Sequence, residues 1–152
     1  MFKKIKNKLY FLLFVNLFVV TILMLGCSTP KPPDCIHKSA LKSEISWGTL
    51  LQGNPAVVYN MKMDGSITLK DNDVEKSLKV VNPDTLCNIL RDMGILIIEI
   101  QTLNVPADKN HFFEYKNPAE NYYFRAVWNP KHTNDGNKKF EEFYNRLQNI
   151  AE

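Results

Sequence analysis

Apolar residues in this chain recur at two different periods, and the order in which those periods succeed one another limits the fold. From Ala56, Val57, Tyr59, Met61 and Met63 alternate with more polar neighbours, and Ile67 and Leu69 follow after Asp64-Gly65. Period two marks a half-buried strand, and the intervening turn residues make Ala56 to Leu69 a β-hairpin. A two-residue Asp-Gly loop would set Met61 opposite Thr68 and split the apolar residues between two faces. A three-residue loop with Gly65 left-handed sets Met61 opposite Ile67 and Tyr59 opposite Leu69, which gathers them on one face. Asp71-Asn72-Asp73 then turns the chain into a third strand over Ser77 to Val81. Asp71, Asp73 and Glu75 alternate like the start of a calcium loop. Its sixth and twelfth positions need glycine and glutamate, and here they hold Lys76 and Asn82. The triplet reads as a solvated turn.

The period changes at Asn82. Asn82 caps, Pro83 suits the first helical position and Asp84 faces the positive end of the dipole. Leu86, Ile89, Leu90 and Met93 keep helical spacing, and Gly94 reads as the stop, with Ile95 just after it. Ile95 to Leu103, almost all β-branched or leucine, reads as a central strand covered on both faces. Val105 to Asn110 is an exposed loop. Two aromatic strands follow, His111 to Lys116 and Asn121 to Trp128, joined by Asn117-Pro118-Ala119-Glu120. Their expected register sets Tyr115 opposite Tyr122 and Phe113 opposite Phe124, on one face with Ala126 and Trp128. After a loop at Lys131 to Asn137, Lys138 to Ile150 forms a closing helix. Its apolar stripe is Phe140, Phe143, Tyr144, Leu147 and Ile150, with Lys138, Lys139, Glu141, Glu142 and Arg146 on the wet side. Ile45 to Leu51 adds an edge strand. Runs of strands, each followed by one helix, define an α+β class: an antiparallel or mixed β-sheet of about five to seven strands with two helices packed on one face.

The first 27 residues carry a different kind of information. Lys3, Lys4, Lys6 and Lys8 precede an apolar run from Leu9 to Leu25, broken only by Asn16 and Thr21, and Leu23-Met24-Leu25-Gly26-Cys27 closes it. This segment resembles a bacterial lipoprotein signal. The resemblance implies cleavage before Cys27, lipid on the Cys27 thiol, and a lipid-anchored place in the cell envelope, at the outer membrane in a diderm host because Ser28 is not aspartate. A membrane-spanning helix is the rival reading. Leu9 to Gly26 is 18 residues, against the roughly 20 a span needs, and the abrupt change to Ser28-Thr29-Pro30-Lys31-Pro32-Pro33 favours cleavage. The organisation is then 1–26 signal peptide, 27–44 lipidated cysteine and proline-rich linker, and 45–152 a single α+β domain, with packing beginning between Ile36 and Ile45.

Removing the leader changes the charge. Four of the 19 basic residues are leader lysines, which leaves 15 against 16 acidic residues, a formal net of −1. A nucleic-acid partner needs a basic excess on one face, and none remains. With Cys27 acylated, Cys35 and Cys87 are left in an oxidising compartment. They are either a disulfide from the domain's start to its first helix, or a free thiol in an arm and a buried core cysteine.

No residue announces a reaction. His37, His111 and His132 are scattered, and Cys35-Ile36-His37 lacks the second pair a zinc site requires. His111 and Glu114 point to opposite sides of a strand. No serine has the flanking glycines of a nucleophile turn, and no glycine loop cradles a phosphate. No catalytic residue, metal or cofactor is therefore assigned. Glu99 is the acid to inspect, because it interrupts an apolar strand; burial there would raise its pKa and mark a site, whereas the expected place is edge-facing or solvent-facing. The aromatic strands leave Phe112, Tyr123, Arg125 and Val127 facing outward as the best binding patch. The expectation is a non-catalytic module that binds another envelope protein, as accessory subunit, inhibitor or immunity-type protein. A small-ligand or glycan binder using the aromatic face stands second, and a small hydrolase assembled from distant residues third.

Overall fold

The computed structural model describes residues 33–71, 74–100, 103–104, 107–131 and 134–152. All belong to the second of the chain's two units, Lys31–Glu152; Cys27 and the leader lie outside the described residues, as does His132. Seven strands form one mixed sheet: β1 (Glu44–Leu51), β2 (Asn54–Lys62), β3 (Ser66–Asp71), β4 (Val74–Val80), β5 (Leu103–Asn104), β6 (Lys109–Asn117) and β7 (Tyr122–Trp128). Two helices, α1 (Pro83–Glu99) and α2 (Asp135–Ala151), pack on one face, giving the expected α+β class. The spatial order is β4-β3-β2-β1-β6-β7-β5. Only the two-residue β5 runs parallel to its neighbour, β7.

The first hairpin takes the register that apolar alternation demands. Met61 pairs with Ile67 and Tyr59 with Leu69, around a three-residue loop whose Gly65 has φ +83°. Asp64 closes the loop by accepting from the Ser66 amide at 2.9 Å. A Cβ on Gly65 would stand 2.7 Å from the Val81 carbonyl oxygen, so this position needs glycine for space as well as for φ.

Three expectations are corrected. The segment from Ile95 is not a strand: α1 runs through Gly94 to Glu99. Leu96, Ile97 and Ile100 continue the buried side that Leu86, Ile89 and Met93 begin, and that burial outweighs the roughly 1 kcal/mol an interior glycine costs. Second, β1 is no edge strand; it pairs with β2 on one side and β6 on the other, which places Ile45 and Trp47 at the centre of the core. Third, the aromatic hairpin pairs Tyr115 with Phe124 and Phe113 with Ala126. This is two residues from the expected register and keeps the same faces, because side chains alternate with period two.

Packing begins at Ile36, the early end of the expected range. Ile36 belongs to the core, and a short 3₁₀ turn, Lys38–Ala40, follows it, capped by the His37 ring accepting from the Ser39 amide. Cys35 and Cys87 are joined by a disulfide, which ties this arm to the first turns of α1.

Candidate functional site

Helices cover one face of the sheet, so the other face decides what the domain offers a partner. Register assigns its residues. Phe112 pairs with Val127, Glu114 with Arg125 and Lys116 with Tyr123; Phe112 also faces Gly48 across β1. All four expected patch residues, Phe112, Tyr123, Arg125 and Val127, therefore lie on the helix-free face. Phe112 is nevertheless not available to a partner, being only 4 % exposed. Gly48 explains the correction. It has no side chain, so the Phe112 ring lies against it: a Cβ there would be 3.1 Å from Phe112 Cε1. Val127 is half-buried, while Tyr123 and Arg125 are exposed.

The organiser of this face is a residue that the sequence does not single out. The Glu114 side chain is 12 % exposed and pairs with Lys116 Nζ at 3.0 Å and with Arg125 Nε at 3.2 Å. It also accepts from the Tyr123 hydroxyl at 3.0 Å, and the Lys116 ammonium lies 5.7 Å from the Tyr123 ring centroid. The hydrogen bond to Glu114 holds Lys116 above the usual lysine range. Partial burial, then the hydrogen bond to Glu114 and its charge, push Tyr123 up as well. At neutral pH the lysine is a cation and the phenol a neutral donor. The one signal for Glu114 is parity: it sits between Phe112 and Lys116 on an alternating strand and so must face the same side as Tyr123 and Arg125.

At one end of this face lies a cleft of about 440 Å³, lined by Leu50, Asn104, Asn110, Arg125 and Val127 among others. Asn110 is buried beside it and donates through Nδ2 to the Ala107 carbonyl at 2.6 Å. Its Oδ1 has no hydrogen-bond partner among the described residues.

The helix-covered face holds a polar seam. Glu141, expected on the wet side of the closing helix, instead accepts from Trp128 Nε1 at 2.6 Å and pairs with His111 Nδ1 at 3.0 Å. The His111 ring stacks on Tyr144 at 4.1 Å. Trp47 donates to Gln148 Oε1 at 3.1 Å, and Gln148 donates to the Tyr144 hydroxyl at 3.1 Å. Burial raises Tyr144 above the usual tyrosine value. This chain of contacts satisfies both tryptophan N–H groups between the sheet and α2, as buried polar groups require.

Glu99 is exposed, as expected, but on α1 rather than in a strand, and Lys139 donates to it at 2.6 Å. His37 caps the 3₁₀ turn. His111 and Glu114 do point to opposite faces, as expected. Among the described residues no three His, Cys, Asp or Glu side chains gather as metal ligands, and no helix is long and apolar enough to cross a membrane. No protein-family model matches the chain, and no curated protein matches it.

Proposed function

We propose that the mature chain is a lipid-anchored module of the bacterial cell envelope that binds another protein through the helix-free face of its sheet. The anchor rests on the lysine-rich leader and on Gly26-Cys27. The binding face rests on one observation: the Glu114 carboxylate gathers Tyr123, Arg125 and Lys116 on a face that neither described helix covers. A ring and two cations already ordered lose little side-chain entropy on association, and Tyr and Arg are the types that most often carry interface energy. The role is recognition, as accessory subunit, inhibitor or immunity-type protein, with no bond made or broken.

Two measurements test it. Mass spectrometry of the mature chain should find residues 1–26 removed and acyl groups on Cys27. Cross-linking in intact cells should recover a discrete partner with the native chain and lose it with Tyr123→Ala/Arg125→Ala. Recovery unchanged by that double substitution would overturn the assignment of this face.

A second reading, a small-ligand binder, draws on the cleft beside Arg125 and on the Asn110 oxygen, which has no partner among the described residues. It predicts that Val127→Trp, which fills the cleft, abolishes ligand uptake.

A further inference from the structure

Helix α1 carries an apolar stripe that its own fold does not use. The side facing the sheet holds Leu86, Ile89, Met93 and Leu96. Arg91, Gly94, Ile95 and Ile98 recur at i, i+3, i+4 and i+7, so they share a second stripe on the opposite side of the helix. There Ile95 is 52 % exposed and Ile98 78 %. Gly94 precedes both on the same stripe, between Arg91 and Ile95, and a Cβ added to it would meet nothing within 4 Å among the described residues. Nothing among the described residues therefore asks for glycine at this point, and it neither ends the helix nor turns the chain. A glycine followed by two exposed isoleucines suits the close approach of another helix, because crossing helices come nearest where one side chain is missing.

We propose that this stripe is where a second copy of the chain docks, α1 against α1 in antiparallel array. The charges select that occupant. Arg91 stands at one end of the stripe and Glu99 just past the other. A two-fold axis near the Gly94–Ile95 peptide sets Ile95 of each copy over Gly94 of the other. Ile98 then lies along the aliphatic stem of the second copy's Arg91, and each Arg91 guanidinium reaches the opposite Glu99. The pattern is self-complementary, which a closed two-fold contact demands. Within one chain Arg91 is paired with Asp92 at 3.1 Å and Glu99 with Lys139 at 2.6 Å. Both pairs are exposed, so they are weak and can be shared with a second copy. One helix stripe is a small contact, and the dimer belongs among the weak, concentration-dependent ones.

Sedimentation equilibrium of the full chain in nonionic detergent tests this, with a thermal melt of every variant. The native chain should approach dimer mass as concentration rises. Gly94→Leu and Ile98→Asp should each raise the dissociation constant by about tenfold or more while the melt still shows a cooperatively folded domain, since neither site packs against the core; Gly94→Leu should melt somewhat higher, because leucine favours a helix over glycine. Arg91→Glu alone should weaken the dimer, and Arg91→Glu/Glu99→Arg should restore it, because reversing both signs recreates the pairing only when the partner is the same chain. A native chain monomeric at every concentration would overturn the proposal, as would a dimer indifferent to Gly94→Leu and Ile98→Asp. Failure of the double reversal would sink the antiparallel register. Loss of vesicle flotation on Ile98→Asp, without any change of mass, would assign the stripe to the bilayer instead.

Discussion

Gly48 and Phe112 face each other across β1 and β6, and the ring lies where a side chain on residue 48 would otherwise be. A Cβ on Gly48 would also fall 1.9 Å from the Val57 carbonyl oxygen on the neighbouring strand. Backbone cannot yield as a flexible side chain does, so two central strand pairings would have to separate. Gly48→Ala should therefore destabilise the domain by about 3 kcal/mol or more, toward the severe end for single substitutions. Urea unfolding of the two proteins measures it. A loss under 1 kcal/mol would mean that β1 and β2 shift apart easily.

Glu141 serves two groups on different strands, the buried Trp128 Nε1 on β7 and the half-buried His111 ring on β6. Replacing it by alanine leaves the Trp128 N–H unpaired inside the seam, and a buried donor without a partner costs about 1–3 kcal/mol. Glu141→Ala should lose that amount, with Trp128 fluorescence shifted. Glu141→Gln retains an acceptor and should lose less. Equal losses for the two variants would show that the carboxylate charge, not the acceptor, holds the seam together.

Local sequence patterns carry part of this architecture. The register of the β2–β3 hairpin follows from Met61, Ile67, Tyr59 and Leu69 having to share a face, and Gly65 marks the one residue able to close that loop. The end of α1 is where local pattern misleads, because a glycine followed by β-branched residues resembles a stop and a new strand. What decides between helix and strand there is the docking of Leu96, Ile97 and Ile100 against the sheet, a tertiary contact that local propensity does not contain. The central place of β1 is hidden for the same reason: its partner β6 lies some sixty residues away.

The candidate site divides along the same line. Parity alone places Phe112, Tyr123, Arg125 and Val127 on one face. It does not reveal that Phe112 sinks against Gly48, since that depends on which residue of β1 lies opposite. Glu114 is inconspicuous in the sequence because a glutamate in a strand is ordinarily just a solvated residue. Only the approach of Lys116, Tyr123 and Arg125 to one carboxylate makes it a hub.

Cys35 and Cys87 close a loop with a sequence separation of 52, and Ile36 beside the first cysteine is packed in the core. Cross-linking removes conformations from the unfolded chain, by about 2–4 kcal/mol for loops of this order. Cys35→Ser/Cys87→Ser should lower the unfolding midpoint accordingly, and a reducing agent should bring the native chain down to the same value. A midpoint that neither treatment moves would show that the arm is held by the packing of Ile36 alone.

Asp92 on α1 accepts from Arg146 Nη1 on α2 at 2.6 Å and from Arg91 Nε at 3.1 Å. The hydrogen bond from Arg146 is the main reason its carboxyl lies below the ordinary value of 3.8. A depressed folded-state pKa gives stability that is fully present above the unfolded value, and protonation removes it as the pH falls through the folded value. The contribution is therefore present at pH 7 and fades below about pH 4. The pair is partly exposed, so it amounts to less than about 1 kcal/mol. Asp92→Asn should be the less stable protein at pH 7, and its deficit should shrink steadily as pH is lowered from 4 toward 2. Parallel urea titrations at those pH values would show it. A deficit that stays constant across the range would mean that Asp92 supports α1 and α2 through shape rather than charge.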